Sequence, residues 1–241
     1  MRYDVRHRTV YRYSQPVSIA HHVLHLLPRR CDRQVLHASS IAVSPQPAVR
    51  SDAEDYFGNP VTFLTIQQQH EQLAIEARSL VDVVAPAQRQ PSQTARWDGL
   101  LQDLQKSGSR EGIATLQFAF ESPYTQATAD LASYALASFL PGRPTLEAAL
   151  DLTRRIHEEF RYDSTATSVA TPVDEVFRMR RGVCQDFAHL ELACLRALAL
   201  PARYVSGYLL TRAPPGREKL VGSDASHAWI SVWCPEAGWV D

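Results

Sequence analysis

The stretch Arg181-Gly182-Val183-Cys184-Gln185-Asp186-Phe187-Ala188-His189 delivers a cysteine to the start of a strongly helical run, and Ser226-His227-Ala228-Trp229 answers it downstream with an imidazole. An ordinary thiol has a pKa of about 8.5, so a thiol nucleophile working at neutral pH needs that value lowered. A helix N-terminus lowers it through unpaired N–H groups and the positive end of the dipole, and Gly182 permits the turn that aims Cys184 there. The same N–H groups form part of an oxyanion site, where the carbonyl oxygen of a bound acyl group gains charge. His227 would pair with Cys184 as the base and then protonate the leaving amine. Taken alone, a cysteine opening a helix is usually an inert small hydrophobe, and a histidine ahead of strand aromatics is usually structural. A thiol on a helix start together with a histidine on a following strand suggests cysteine-dependent acyl transfer.

The elements that must position this pair are legible in outline. From Arg2 to about Val84 the pattern is β-like, with Tyr3, Val5 and Thr9-Val10-Tyr11-Arg12-Tyr13 alternating in period two. Turn signals at Ser14-Gln15-Pro16, Pro28-Arg29-Arg30, Ser44-Pro45-Gln46-Pro47 and Phe57-Gly58-Asn59-Pro60 divide such runs. The expectation is an antiparallel β-sandwich of about seven strands over residues 1–85. Residues 86–96, with two prolines and no periodicity, read as a linker.

Residues 97–241 read as an α+β catalytic half. Helices are expected over Thr128–Leu136 and over Thr145–His157, the second with Leu146, Ala149, Leu150, Thr153, Ile156 and His157 on one face. The helix opened by Cys184 is expected to run to Leu200, where Pro201 stops it. Strand patterns follow in Ala202–Leu210 and His227–Trp233, separated by a polar loop at Arg212–Lys219.

Composition excludes several classes of function. The 241 residues carry 25 Lys+Arg against 26 Asp+Glu, with no polybasic block, so nucleic acid is not an expected partner. The N-terminus lacks the apolar core of a secretion signal and no stretch is apolar enough to span a bilayer, which points to the cytoplasm and to no membrane partner. Four scattered cysteines make neither a disulfide framework nor a zinc site. His21-His22-Val23-Leu24-His25 invites a metal reading, but no cysteine or acid is spaced to complete a site, and on a strand His21 and His25 share a face with Val23. No metal and no cofactor is expected. For Asp186, in the first turn after Cys184, stabilisation of the helix dipole is the plainest role, and His189 either borders the site or packs.

With these residues placed, the chain resembles the bacterial transglutaminase-like family of the papain-like cysteine protease superfamily. Arg180 to His189 resembles its nucleophile segment, Ala202-Arg203-Tyr204-Val205-Ser206-Gly207-Tyr208 its next strand, and Ser226-His227-Ala228-Trp229 its histidine strand. Tyr11-Arg12-Tyr13-Ser14-Gln15-Pro16-Val17 and Asp55-Tyr56-Phe57-Gly58-Asn59-Pro60-Val61 are similar to the β-domain that precedes this core. The resemblance implies a core of helices packed on an antiparallel sheet, and a Cys-His-Asp triad that forms a thioester with a peptide or protein amide and passes the acyl group to water or to an amine acceptor. Cys184 and His227 match two of its members. The aspartate is implied two residues past Asp241, so a core cut short at its C-terminus is expected, with Asp241 on the same side of its strand but about 7 Å short. The alternative from another class is a catalytically inert peptide-binding or assembly module on the same fold.

Overall fold

The structure, a computed structural model, describes residues 1–85, 90–210 and 226–241, so the loop Arg212–Lys219 lies outside the described residues. The chain divides into two compact units, Met1–Gln88 and Arg89–Asp241.

The first unit consists of β1 (Arg2–Val17), β2 (Ala20–Leu24), β3 (Gln34–Ser44), β4 (Val49–Glu54), β5 (Pro60–Ile66) and β6 (His70–Val83). They form two antiparallel sheets, ordered β1-β6-β3 and β2-β5-β4. Leu24, Leu64 and Ile66 of one sheet join Ile41, Leu73, Ile75 and Ala77 of the other in a single apolar cluster. The described residues thus hold six strands where the sequence suggested about seven. The difference lies at Ser14-Gln15-Pro16, which is a bulge inside β1, between the pairs Arg12–Gln72 and Val17–His70, and not a turn. Pro16 has no N–H to give, and β1 is an edge strand, where one side of the ladder needs no donor.

The second unit begins with α1 (Trp97–Ser107), α2 (Arg110–Leu116), α3 (Ala129–Leu136) and α4 (Thr145–Glu159). There follow β7 (Arg161–Tyr162), α5 (Val173–Met179), β8 (Arg181–Gly182), α6 (Cys184–Ala197), β9 (Ala202–Gly207), β10 (His227–Cys234) and β11 (Gly238–Val240). β9, β10 and β11 make an antiparallel sheet with β10 in the centre, and β7 pairs with β8 in parallel. α6 is the hub, packed on α3, α4, α5, β9 and β10. Its Leu190, Leu192, Ala193, Cys194 and Leu195 enter one cluster with Leu152 of α4 and with Val232 and Cys234 of β10.

Two local details differ from the sequence reading. α6 ends at Ala197 rather than Leu200, because Ala199 takes a left-handed φ of 56° and the Leu200 N–H returns to the Leu195 carbonyl. The buried face of α4 is rotated. It carries Leu146, Ala149, Leu152 and Ile156, while Leu150 and His157 are exposed. A run with leucines at 146, 150 and 152 allows two phases of the 3.6-residue period, and only packing against α6 selects one.

The stretch expected as linker also takes part in this unit. Thr94 Oγ1 accepts the Leu146 N–H at 3.1 Å, and the Thr145 N–H donates to the Ala95 carbonyl at 2.8 Å. Pro144, at the N-cap position of α4, has no side chain able to cap, so Thr94 supplies the cap from fifty-two positions earlier. The rotated face of α4 yields a direct comparison by chemical denaturation. Leu152→Ala should cost about 2–5 kcal/mol through the cavity it leaves, and Leu150→Ala less than about 1 kcal/mol.

Candidate active site at the start of helix α6

The approach to Cys184 is pinned from both sides. Arg180 ends α5 in the left-handed region, with φ of 54°, a conformation that costs a non-glycine residue on the order of 1 kcal/mol. Its guanidinium lies over the rings of Phe177, Phe160 and Tyr134, at 4.3, 4.5 and 5.1 Å, and meets Glu159 at 3.2 Å, which offsets that strain. The Arg180 carbonyl accepts from Arg161 N and the Gly182 carbonyl from Asp163 N, both at 2.9 Å, so β7 and β8 run side by side into the helix start.

Asp186 then closes the first turn. Its Oδ2 accepts the Val183 N–H at 2.8 Å and the Thr167 hydroxyl at 2.6 Å, and the residue is buried. The carboxylate therefore does more than face the helix dipole, since it satisfies a backbone donor ahead of the helix and ties the 163–171 loop to it. Gly182 is required by this arrangement in a way the sequence did not show. A Cβ there would lie 2.6 Å from Asp186 Oδ2 and 2.8 Å from its Cβ, too close for any side chain.

Cys184 occupies the first helical position and is half-buried. His227 is the first residue of β10, paired with Gly207 at the end of β9, and both strands pack against α6. A second glycine constraint operates there, because the Trp229 indole would come within 2.6 Å of a Cβ on Gly207. The fold thus carries the two residues singled out in the sequence on elements in direct contact. β11 pairs Val240 with Val232, which brings Asp241 level with Ser231, four positions (231 − 227) along β10 from His227.

The remaining thiols and histidines occupy other environments. Cys194 and Cys234 are buried and Cys31 is exposed. Burial, then the neighbouring Glu191 charge, pushes the Cys194 thiol up to about 12. His21 Nδ1 lies 3.1 Å from Thr65 Oγ1, and His22 stacks on Tyr11. Among the described residues no group of three or more His, Cys, Asp or Glu side chains is arranged to hold a metal ion. His189 packs between Tyr124 and Tyr204, and burial lowers its pKa against the opposing pull of Asp186.

One buried acid on α6 went unremarked in the sequence. Glu191 Oε1 is 2.5 Å from Thr153 Oγ1, which is itself 3.0 Å from the Ala149 carbonyl. The Thr153 hydroxyl has one proton. It goes either to Glu191, which favours the carboxylate, or to the Ala149 carbonyl, in which case a neutral Glu191 donates to the Thr153 oxygen. Burial favours the neutral form, raising the carboxyl from 4.5 to about 7, with the Thr153 contact pulling the other way.

A thiol at the first turn of a buried helix, laid against an antiparallel sheet with a histidine on its central strand, defines the transglutaminase-like class of fold, and the comparisons agree. Residues 3–82 match the bacterial transglutaminase-like N-terminal region and residues 134–241 match the transglutaminase-like superfamily. An uncharacterized protein of Mycobacterium tuberculosis is 41% identical over 243 residues, which covers 98% of this chain and 74% of the relative. A protein-glutamine gamma-glutamyltransferase of Pseudomonas aeruginosa is 40% identical over 98 residues, covering 39% of this chain and 14% of that protein. A solved structure from Cytophaga hutchinsonii, described as a candidate cysteine protease, shares the fold with a TM-score of 0.77 at 22% identity, covering 100% of this chain and 75% of that one. The chain belongs to the bacterial transglutaminase-like family, within the transglutaminase-like superfamily.

Two measurements probe the helix. Asp186→Ala should lower stability by about 1–3 kcal/mol in denaturant titrations, since it leaves the Val183 N–H without its carboxylate. Glu191 binds its proton more tightly folded than unfolded, so it makes stability fall as pH rises from about 4.5 to about 7 and flatten above. The loss amounts to about 3 kcal/mol. Glu191→Gln should erase that slope, leaving the variant more stable than the parent at pH 8 and about equal at pH 4.

Proposed function

We propose that this chain catalyses cysteine-dependent acyl transfer on a peptide or protein amide, with Cys184 as nucleophile and His227 as base and acid. The observation that carries the reading is the placement of Cys184 at the first position of α6, behind the turn held by Asp186, Thr167 and Gly182. The N–H groups of a helix's first turn have no partner within the helix, which suits that turn to an oxyanion site. His227 opens the strand against which that helix packs.

The reaction runs in two halves. The Cys184 sulfur bonds to the carbonyl carbon as its proton passes to His227, and the carbonyl oxygen takes up negative charge facing the first turn of α6. The C–N bond then breaks, His227 returns the proton to the departing amine, and a thioester remains. Water or an amine, deprotonated by His227, attacks the thioester carbon and restores the thiol. Water yields hydrolysis, and an amine yields the transfer that the Pseudomonas relative's name describes.

Iodoacetamide labelling followed by peptide mass spectrometry tests the assignment. Cys184 should react faster than Cys31 although Cys31 is the more exposed, with Cys194 and Cys234 unlabelled, and His227→Ala should slow Cys184 selectively. Equal rates at Cys184 and Cys31 would sink the proposal.

A further inference from the structure

Three exposed aromatic side chains lie around the start of α6, and two of them are held in place although they face solvent. Tyr204 on β9 is 38% exposed and its ring packs on His189 at 5.2 Å. Tyr124 is 58% exposed and stacks on His189 at 5.6 Å with the planes only 11° apart. The segment that presents Tyr124 is fixed from below. Arg196, on the last turn of α6, donates to Thr125 Oγ1 at 2.6 Å, to the Phe118 carbonyl at 3.2 Å and to the Ala202 carbonyl at 3.0 Å, while Ser122 and Thr125 bond to each other. The backbone on both flanks of the stack is thus tied to the helix that bears Cys184. Tyr162, 65% exposed, approaches the helix start from a different element, β7, where it pairs with Gly182.

Large apolar rings left in water and yet rigidly mounted are costly for folding and favourable for binding, because the ordering entropy has already been met. The stack and the thiol share a helix, since His189 follows Cys184 by five positions on α6, and β9, which carries Tyr204, packs against that helix. His189 is held neutral by burial, so its ring offers stacking surface without a charge that would favour an acidic ligand.

We propose that Tyr124, His189 and Tyr204 form a preorganised aromatic subsite beside Cys184, which seats an aromatic or large apolar side chain next to the amide that is attacked. This deepens the acyl-transfer reading and rests on it. The solvent-exposed surfaces of Tyr124 and Tyr204, on either side of His189, supply the apolar contact, and Arg196 positions the Tyr124 segment. The substrate class is a peptide or protein whose acyl portion carries such a side chain.

The test compares N-acetyl-phenylalanyl and N-acetyl-glycyl chloromethyl ketones on the full chain. In each case the Cys184 sulfur displaces chloride from the methylene carbon, forming C–S as C–Cl breaks, and rates are divided by those with glutathione to remove intrinsic reactivity. The phenylalanyl reagent should inactivate about tenfold faster or more, as burying a benzyl group predicts. Tyr124→Ala should bring the ratio toward one, Tyr124→Phe should keep it, and Tyr162→Ala should keep it. Equal normalised rates on a chain whose Cys184 still outpaces Cys31 with iodoacetamide overturn the subsite alone. A preference lost in Tyr162→Ala and kept in Tyr124→Ala does the same by placing the side chain on the other approach. A Cys184 no faster than Cys31 overturns the subsite together with the acyl-transfer reading.

Discussion

The Asp186 carboxylate accepts from the Val183 N–H and the Thr167 hydroxyl while buried at the mouth of α6, and the surrounding geometry follows from that arrangement. A buried carboxylate is tolerated only when donors converge on it, and here the donors come from the chain just ahead of the helix and from the 163–171 loop. Meeting them fixes the path of the backbone through Gly182, where no Cβ fits, and so fixes where the first helical residue, Cys184, stands. An interaction that is structural in kind thereby sets the direction of the thiol.

α6 can bear this arrangement because it is held along its whole length by different means. At its start, the strained turn of Arg180 is stabilised by three aromatic rings and Glu159. In the middle, Leu190, Leu192 and Leu195 are fully packed, and the Glu191 carboxyl, its pKa raised by burial, is hydrogen-bonded to Thr153 of α4. At its end, Arg196 binds both the segment carrying Tyr124 and the carbonyl that begins β9. Cys184, Glu191 and His189 therefore share one helix, and a shift in it would move all three.

α4 shows how the unit is assembled from parts remote in sequence. Its first turn is capped by Thr94 and Ala95, and its buried face is chosen by the partner helix rather than by its own pattern. The N-terminal unit follows the same logic. The bulge at Ser14-Gln15-Pro16 resembles a turn locally, yet pairing with β6 on both sides of it keeps β1 a single strand.

Read alone, the sequence determined the α+β class, the order of strands, helices and strands, the family, and the positions of a cysteine at a helix start and a histidine on a later strand. These are written in short-range signals: period-two and period-3.6 hydrophobicity, turn residues, and a glycine ahead of Cys184. Even Asp186 was legible as a first-turn acid. Its partner Thr167 was not, since the polar run Ser164-Thr165-Ala166-Thr167-Ser168 carries no periodic cue and its role depends on a contact nineteen residues away. The same holds for Thr94 as a cap, for the phase of α4, for the raised pKa of Glu191 and for the Tyr124–His189–Tyr204 stack. Each arises from groups that meet only when distant segments pack, and desolvation, donor geometry and the exclusion of a Cβ act only once those segments are in place.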